Sequence, residues 1–173
     1  MSPLNADQLG ETLPRTFSIS VIMQQTPSEN PWLDFQWEAI GILAGDIGDV
    51  AGPKSEKVIL SEEGITQYIY SGFSLRLHVD ECESYYHNLM SPTPWAYIVA
   101  TAEESDRPIP VLVSLSFDEA HAYLEGDEHL FSVPVPPEIY QWSEAFVLAH
   151  YVPVKRTKRK RQDWRRQAQG HKA

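Results

Sequence analysis

His78, Asp80, Cys82, Glu83 and His87 lie within one short stretch and between them carry every common metal-donor type: imidazole, carboxylate and thiolate. Their spacing argues against a metal site. A zinc-binding helix presents ligands at i and i+4, whereas Cys82 and His87 are five apart, which sets them on different helix faces. His78 falls at the end of the preceding strand. The segment reads instead as a helix cap followed by a core thiol. Nucleophilic use of Cys82 fails on electrostatics: a reactive thiolate needs a base and a positive field, while Asp80, Glu81 and Glu83 would raise its pKa. Histidine is the natural proton carrier near neutral pH, so His78, His87 and His150 are the residues an acid–base pocket would use. The plainer reading of each is a capping or surface histidine.

Two acidic clusters, Glu103-Glu104-Ser105-Asp106 and Glu125-Gly126-Asp127-Glu128-His129, supply further carboxylates. Paired carboxylates work in hydrolysis only where they converge across a cleft. Neither cluster has the alternating acids, glycine and distal glutamate of a calcium loop. Residues 41–48 contain neither a dinucleotide-binding glycine pattern nor a phosphate-loop lysine, and no serine stands in a nucleophile elbow. No catalytic residue, metal ligand or cofactor is therefore assigned.

The charge distribution is more informative. Residues 154–173 hold nine Lys or Arg against one Asp, a net +8; the preceding residues hold five basic and 23 acidic side chains, a net −18. Blocks of one sign act as contact surfaces. Lys155, Arg156, Lys158, Arg159, Lys160, Arg161, Arg165 and Arg166 are the candidate partner-binding residues. Nucleic acid would add salt-sensitive phosphate contacts, but the acidic body repels that polymer, and Trp164 alone makes no stacking platform. A membrane surface calls for an apolar face that this segment lacks. An acidic protein, or the chain's own body, meets no such repulsion.

A chain of 173 residues fits one domain that buries enough surface to need no metal or disulfide staple. Cys82 has no internal partner for a disulfide, which suits a reducing, cytoplasmic setting. The N-terminus lacks the pattern of a signal peptide, and no stretch has the length of a membrane span.

Residues that could do chemistry are positioned by elements readable from periodicity. Residues 16–23 alternate as a strand, and 32–43 follow with Phe35, Trp37 and Ala39, and by extension Gly41 and Leu43, on one face; the two pair as an antiparallel hairpin. Residues 45–56 read as a loop and 57–60 as a short strand. Strands at 65–70 and 73–79 flank Ser71-Gly72, a tight-turn signal. Asp80 with Glu83 suggests a capped helix over 80–90, burying Cys82, Tyr85, Tyr86 and Leu89. Strands follow at 95–100 and 110–115. Ser116 with Glu119 forms a capping box for a second helix, with Phe117, Ala120, Tyr123 and Leu124 inward and Gly126 as its stop. Residues 133–137 are extended. A third helix starts near Pro137 and buries Ile139, Trp142, Phe146 and Ala149. The order predicts an α+β fold, a mainly antiparallel sheet with about three helices on one side or end. The organisation is a flexible segment 1–15, a single domain 16–153 and a basic tail 154–173.

Val133-Pro134-Val135-Pro136-Pro137-Glu138, then Trp142, Phe146-Val147 and His150-Tyr151 ahead of the Lys/Arg cluster, resembles the C-terminal signature of a proteobacterial family of unknown function. Its members are encoded beside formate dehydrogenase and other molybdenum-enzyme genes. The Trp37 strand, Leu75-Arg76-Leu77-His78 leading into Tyr85-Tyr86, and Tyr97-Ile98-Val99 are also similar to that family, so the likeness spans roughly residues 16–161. The family has no assigned activity or catalytic residues. Its gene context implies a role in assembling, maturing or regulating a formate dehydrogenase.

The reading that follows is a non-catalytic accessory protein that binds another protein, such as a formate dehydrogenase subunit or its maturation factor. The alternatives are a small-molecule binder or enzyme with a pocket between sheet and helices, and a nucleic-acid binder acting through the tail.

Overall fold

The computed structural model describes residues 13–45, 55–102 and 106–153. Among these, seven strands form two antiparallel sheets. Strands β1 (Thr16–Pro27), β2 (Phe35–Ala44), β3 (Ser55–Glu62) and β4 (Ile65–Arg76) make the first, in the order β2-β1-β4-β3. Strands β5 (Trp95–Thr101), β6 (Ile109–Ser114) and β7 (His129–Pro134) make the second, in the order β6-β5-β7. A 3₁₀ turn, Val79–Glu81, and helix α1 (Cys82–Leu89) lie between the two sheets in sequence, helix α2 (Phe117–Ala122) lies between β6 and β7, and helix α3 (Pro137–His150) follows β7. The fold is α+β, as expected, with two sheets where one was read.

Alternation explains the core. On β1, Ile19, Val21 and Met23 are fully buried; across the strands they face Phe73, Tyr70 and Tyr68 of β4 on one side and Ile42 and Ala39 of β2 on the other. Ala96 and Ile98 of β5 join them from the second sheet, and Tyr85, Leu89, Ile139 and Phe146 from α1 and α3. Each large aliphatic side chain or phenylalanine among them contributes roughly 1.5–3 kcal/mol when fully buried. Trp142 ties α3 to the start of β1: its ring meets Phe17 at 5.2 Å, and its Nε1–H donates to the Pro14 carbonyl at 2.7 Å.

Several expectations need correction. Ser71-Gly72 is not a turn: β4 runs through it as one strand, and Gly72 (φ 84°) makes a bulge opposite Ser20. The two-residue hairpin is Glu63-Gly64 (φ 51° and 82°), joining β3 to β4. Most of the loop read at 45–56 lies outside the described residues, but Ser55 and Glu56 already belong to β3. A second bulge, at Ile40 against Ile22/Met23, reverses the facing of β2: Ile42 takes the buried position and Leu43 turns outward. Asp80 caps nothing. The residue before α1 is Glu81, whose side chain makes no cap bond because its carboxylate is used elsewhere. Helix α2 stops at Ala122, four residues short of Gly126, and of its four expected inward residues only Ala120 is buried. Ala149 of α3 is half-buried, and Val147 takes the core position. Strand β7 was not anticipated beyond its last residues.

Candidate functional site

Two surfaces carry unusual chemistry. The first is a groove on the outer face of the second sheet. Period two puts Ala96 and Ile98 inward, so Tyr97 points outward and forms the floor. Helix α1 and the 3₁₀ turn make one wall, with Asp80, Glu81, Glu83 and Ser84; the first turn of α2 makes the other, with Phe117 and Asp118. The hollow holds about 550 Å³. A second hollow of about 450 Å³ adjoins it, sharing His87, Asn88 and Tyr97 and extending to Trp95. Among the described residues, no Lys or Arg lines either one. Phe117 stands edge-on to Tyr97 at 5.5 Å and remains 47 % exposed, since its ring is a groove wall and not core. Burial raises the Tyr97 hydroxyl above its ordinary pKa, keeping it a neutral donor.

The walls are locked by a polar network. Ser116 Oγ accepts the Glu119 N–H at 3.2 Å, the expected cap. The return half of the capping box is relayed: Ser116 N–H donates to Ser114 Oγ at 3.0 Å, and Ser114 Oγ donates to Glu119 Oε2 at 2.7 Å. Ser116 Oγ also donates to Glu81 Oε2 at 2.7 Å and receives Ser84 Oγ–H at 3.0 Å. One fully buried serine thus joins the α1 wall to the α2 wall. Asn88 supplies the other strut. Its Nδ2 donates to the Trp95 and Leu115 carbonyls at 2.7 and 2.9 Å, and its Oδ1 accepts the Trp95 N–H at 2.9 Å.

The residues singled out in the sequence do not form one centre. His78 Nε2 lies 3.7 Å from Glu119 Oε1, and its backbone N–H donates to Tyr85 Oη. Cys82 is buried, and burial first, then the nearby Asp80 charge, raise its thiol pKa, so it is not activated. His87 sits on the groove rim beside Glu83 at 3.7 Å. His150 lies against Phe146 at 4.5 Å, with a buried Nε2 that has no hydrogen-bond partner among the described residues. Among the described residues, no three His, Cys, Asp or Glu side chains are placed to hold a metal ion. In the cluster 125–129, Glu128 Oε2 accepts the backbone N–H groups of Glu125 and Gly126, which closes a turn. Glu103, Glu104 and Ser105 lie outside the described residues. So do Lys155, Arg156, Lys158, Arg159, Lys160, Arg161, Arg165 and Arg166.

The second surface was missed from the sequence. At the β1–β2 end of the first sheet, Trp37 meets Tyr68 at 5.6 Å, and the Arg107 guanidinium lies over Tyr68 at 4.2 Å. Arg107 also donates to Tyr70 Oη from Nε and Nη2, at 3.2 and 2.9 Å, and pairs with Glu56. Beside this shelf is a hollow of about 290 Å³ bounded by Trp32, Leu33, Phe35, Trp37, Asp106 and Arg107. Trp32 is 89 % exposed, Leu33 55 % and Phe35 49 %. The sequence signal is the apolar density of residues 32–37, of which periodicity gives only that Phe35 and Trp37 share one face of a strand.

Fold and surfaces together define an α+β protein built on two antiparallel sheets, with an acidic, aromatic-floored groove and an exposed aromatic shelf. Residues 18–161 match the family model described as "Protein of unknown function (DUF3305)", and the chain belongs to that family. No curated protein and no solved structure matches it. No helix among the described residues is long and apolar enough to cross a membrane.

Proposed function

We propose that this protein is a non-catalytic accessory factor that binds another protein. The observation that carries the reading is the exposed apolar run at the β1–β2 end: Trp32, Leu33 and Phe35 around a hollow edged by Arg107. Single exposed apolar residues are ordinary, but a contiguous aromatic patch with a polar rim marks a contact surface. Trp and Arg are also the residue types that dominate binding energy at interfaces. The basic residues 155–166 would add charge contacts to an acidic patch on the partner. The partner class we propose is a formate dehydrogenase-type molybdenum enzyme or its maturation factor, on the sequence resemblance alone.

The test is recovery of partners from the native cell, and binding to purified formate dehydrogenase, by the full chain and by a W32A/F35A variant. Both side chains project into solvent, so the variant keeps its fold. The expected result is at least a tenfold loss of recovery, the equivalent of about 1.4 kcal/mol. Equal recovery removes the shelf from the mechanism. Retention on a polyanion with a steep salt slope would favour the nucleic-acid alternative instead.

A further inference from the structure

We infer that the acidic groove between α1 and α2 is the docking site, in the free protein, for this chain's own basic segment 155–161. Four carboxylates edge the groove, on Asp80, Glu81, Glu83 and Asp118, and among the described residues no Lys or Arg lines it to offset them. Glu81 is engaged by Ser116 and Glu83 faces the exposed His87, while Asp80 and Asp118 are exposed. The floor and walls are aromatic: Tyr97, Phe117 and, in the adjoining hollow, Trp95. This combination suits Lys and Arg. Their aliphatic stems cover aromatic surface while the charged heads reach the carboxylates, and guanidinium planes stack on rings.

The position of the chain end makes this segment the fitting occupant. The last helix hands over to Tyr151, whose ring lies 4.8 Å from Tyr86 on α1. Tyr86 in turn contacts His87 at 5.5 Å, and His87 stands on the groove rim. The chain therefore leaves the described fold two ring contacts from the groove. Lys155 is four residues beyond Tyr151, a reach of up to about 13 Å for an extended chain. Residues 155–161 contain six cations, Lys155, Arg156, Lys158, Arg159, Lys160 and Arg161. A tether this short gives an effective concentration of order millimolar. Weak exposed ion pairs then suffice in cis where they would fail between separate molecules at micromolar concentration. The docked segment is withheld from acidic partners, so a partner's acidic patch competes with the groove for the same cations.

The isolated full-length protein tests this at low micromolar concentration, treated with a carbodiimide that joins lysine amines to carboxylates in direct contact. Lys155, Lys158 and Lys160 are expected to couple to Asp80, Glu83 or Asp118. The yield should fall about tenfold in roughly 0.5 M salt, where exposed charges are screened over a few ångströms. A second readout uses D80N/E83Q/D118N, three changes at exposed positions: trypsin should cut at 155–161 about tenfold faster than in the wild type. The inference is overturned if coupling spreads evenly to distant acids such as Glu62 and Glu128, if mixed heavy- and light-isotope protein couples only between copies, or if the variant tail is cut at the wild-type rate. These measurements contain no partner, so they stand or fall apart from the accessory-factor reading.

Discussion

Replacing Ser116 with alanine removes one oxygen and three interactions. The hydroxyl accepts the Glu119 N–H, donates to Glu81 Oε2 and receives the Ser84 hydroxyl. Loss of an N-cap serine costs about 1 kcal/mol. The bond to the Glu81 carboxylate is charge-assisted and short, a class worth about 1.5–3 kcal/mol. Glu81 is only half-buried and can regain water, which argues for the lower end of that range. Ser84 is similarly half-buried, so its loss adds little. The sum is about 2–3 kcal/mol, or about 5–10 °C in Tm for a chain of this size. Urea unfolding followed by circular dichroism measures it, with an unchanged m-value as the check that only stability moved. S116A combined with E81Q should show a coupling energy above about 0.5 kcal/mol, because both changes act on one bond. A loss below about 1 kcal/mol, or full additivity, would refute the claim that this serine ties the groove walls together.

Alkaline pH should destabilise the fold through two buried phenols. Burial, then the neighbouring Tyr68, pushes the Tyr70 hydroxyl up to about 12, and burial likewise raises that of Tyr85. The unfolded chain releases these protons near pH 10 while the folded chain keeps them, so stability is full below pH 10 and falls as pH rises toward 12. Tyr70 alone accounts for at most about 2–3 kcal/mol. Urea midpoints at pH 9 and 11.5 measure the fall, and Y70F should make it shallower. W142F keeps the ring contact with Phe17 but loses the hydrogen bond to the Pro14 carbonyl, at an expected cost of about 1 kcal/mol by urea unfolding. Cys82 should react with a thiol reagent such as DTNB only after denaturant is added, since it is buried and its thiolate is disfavoured. Fast reaction in native buffer would contradict its placement in the core.

Local chemistry was legible in the sequence where one short segment decides the outcome. Ser116 with Glu119 announces a helix start, and the cap forms. The closing relay through Ser114 depends on where β6 ends relative to α2, which spacing does not reveal. Ser71-Gly72 and Glu63-Gly64 look alike as residue pairs, and both glycines adopt positive φ. One is a bulge and the other a turn because β1 pairs with β4 on both sides of Ser71-Gly72. That pairing is a long-range fact. The groove was hidden for the same reason. Asp80 and Glu83 line one groove with Asp118 only because Asn88 binds the ends of β5 and β6 and Ser84 binds Ser116. Likewise, Phe35 and Trp37 read correctly as one face of a strand, but whether that face meets a second sheet or solvent is decided by the other sheet's extent.

Both unusual surfaces work against stability, and that bears on their meaning. A rim of four carboxylates with no Lys or Arg among its described lining residues repels itself, and an indole that is 89 % exposed gains little from folding. Departures of this kind cluster where a protein contacts something else. The two departures differ in chemistry and in place. The groove is built on the outer face of the second sheet and presents carboxylates; the shelf is built at one end of the first sheet and presents apolar side chains. A partner that presents an acidic patch next to an apolar one would satisfy both. It would draw the basic segment away from the groove while burying Trp32 and Phe35, and the two contacts would not compete for any residue of this chain. That separation yields a distinct signature for the variants: W32A/F35A should weaken a partner's grip without altering trypsin cleavage of the tail, whereas D80N/E83Q/D118N should free the tail and, by removing its competitor, strengthen the grip.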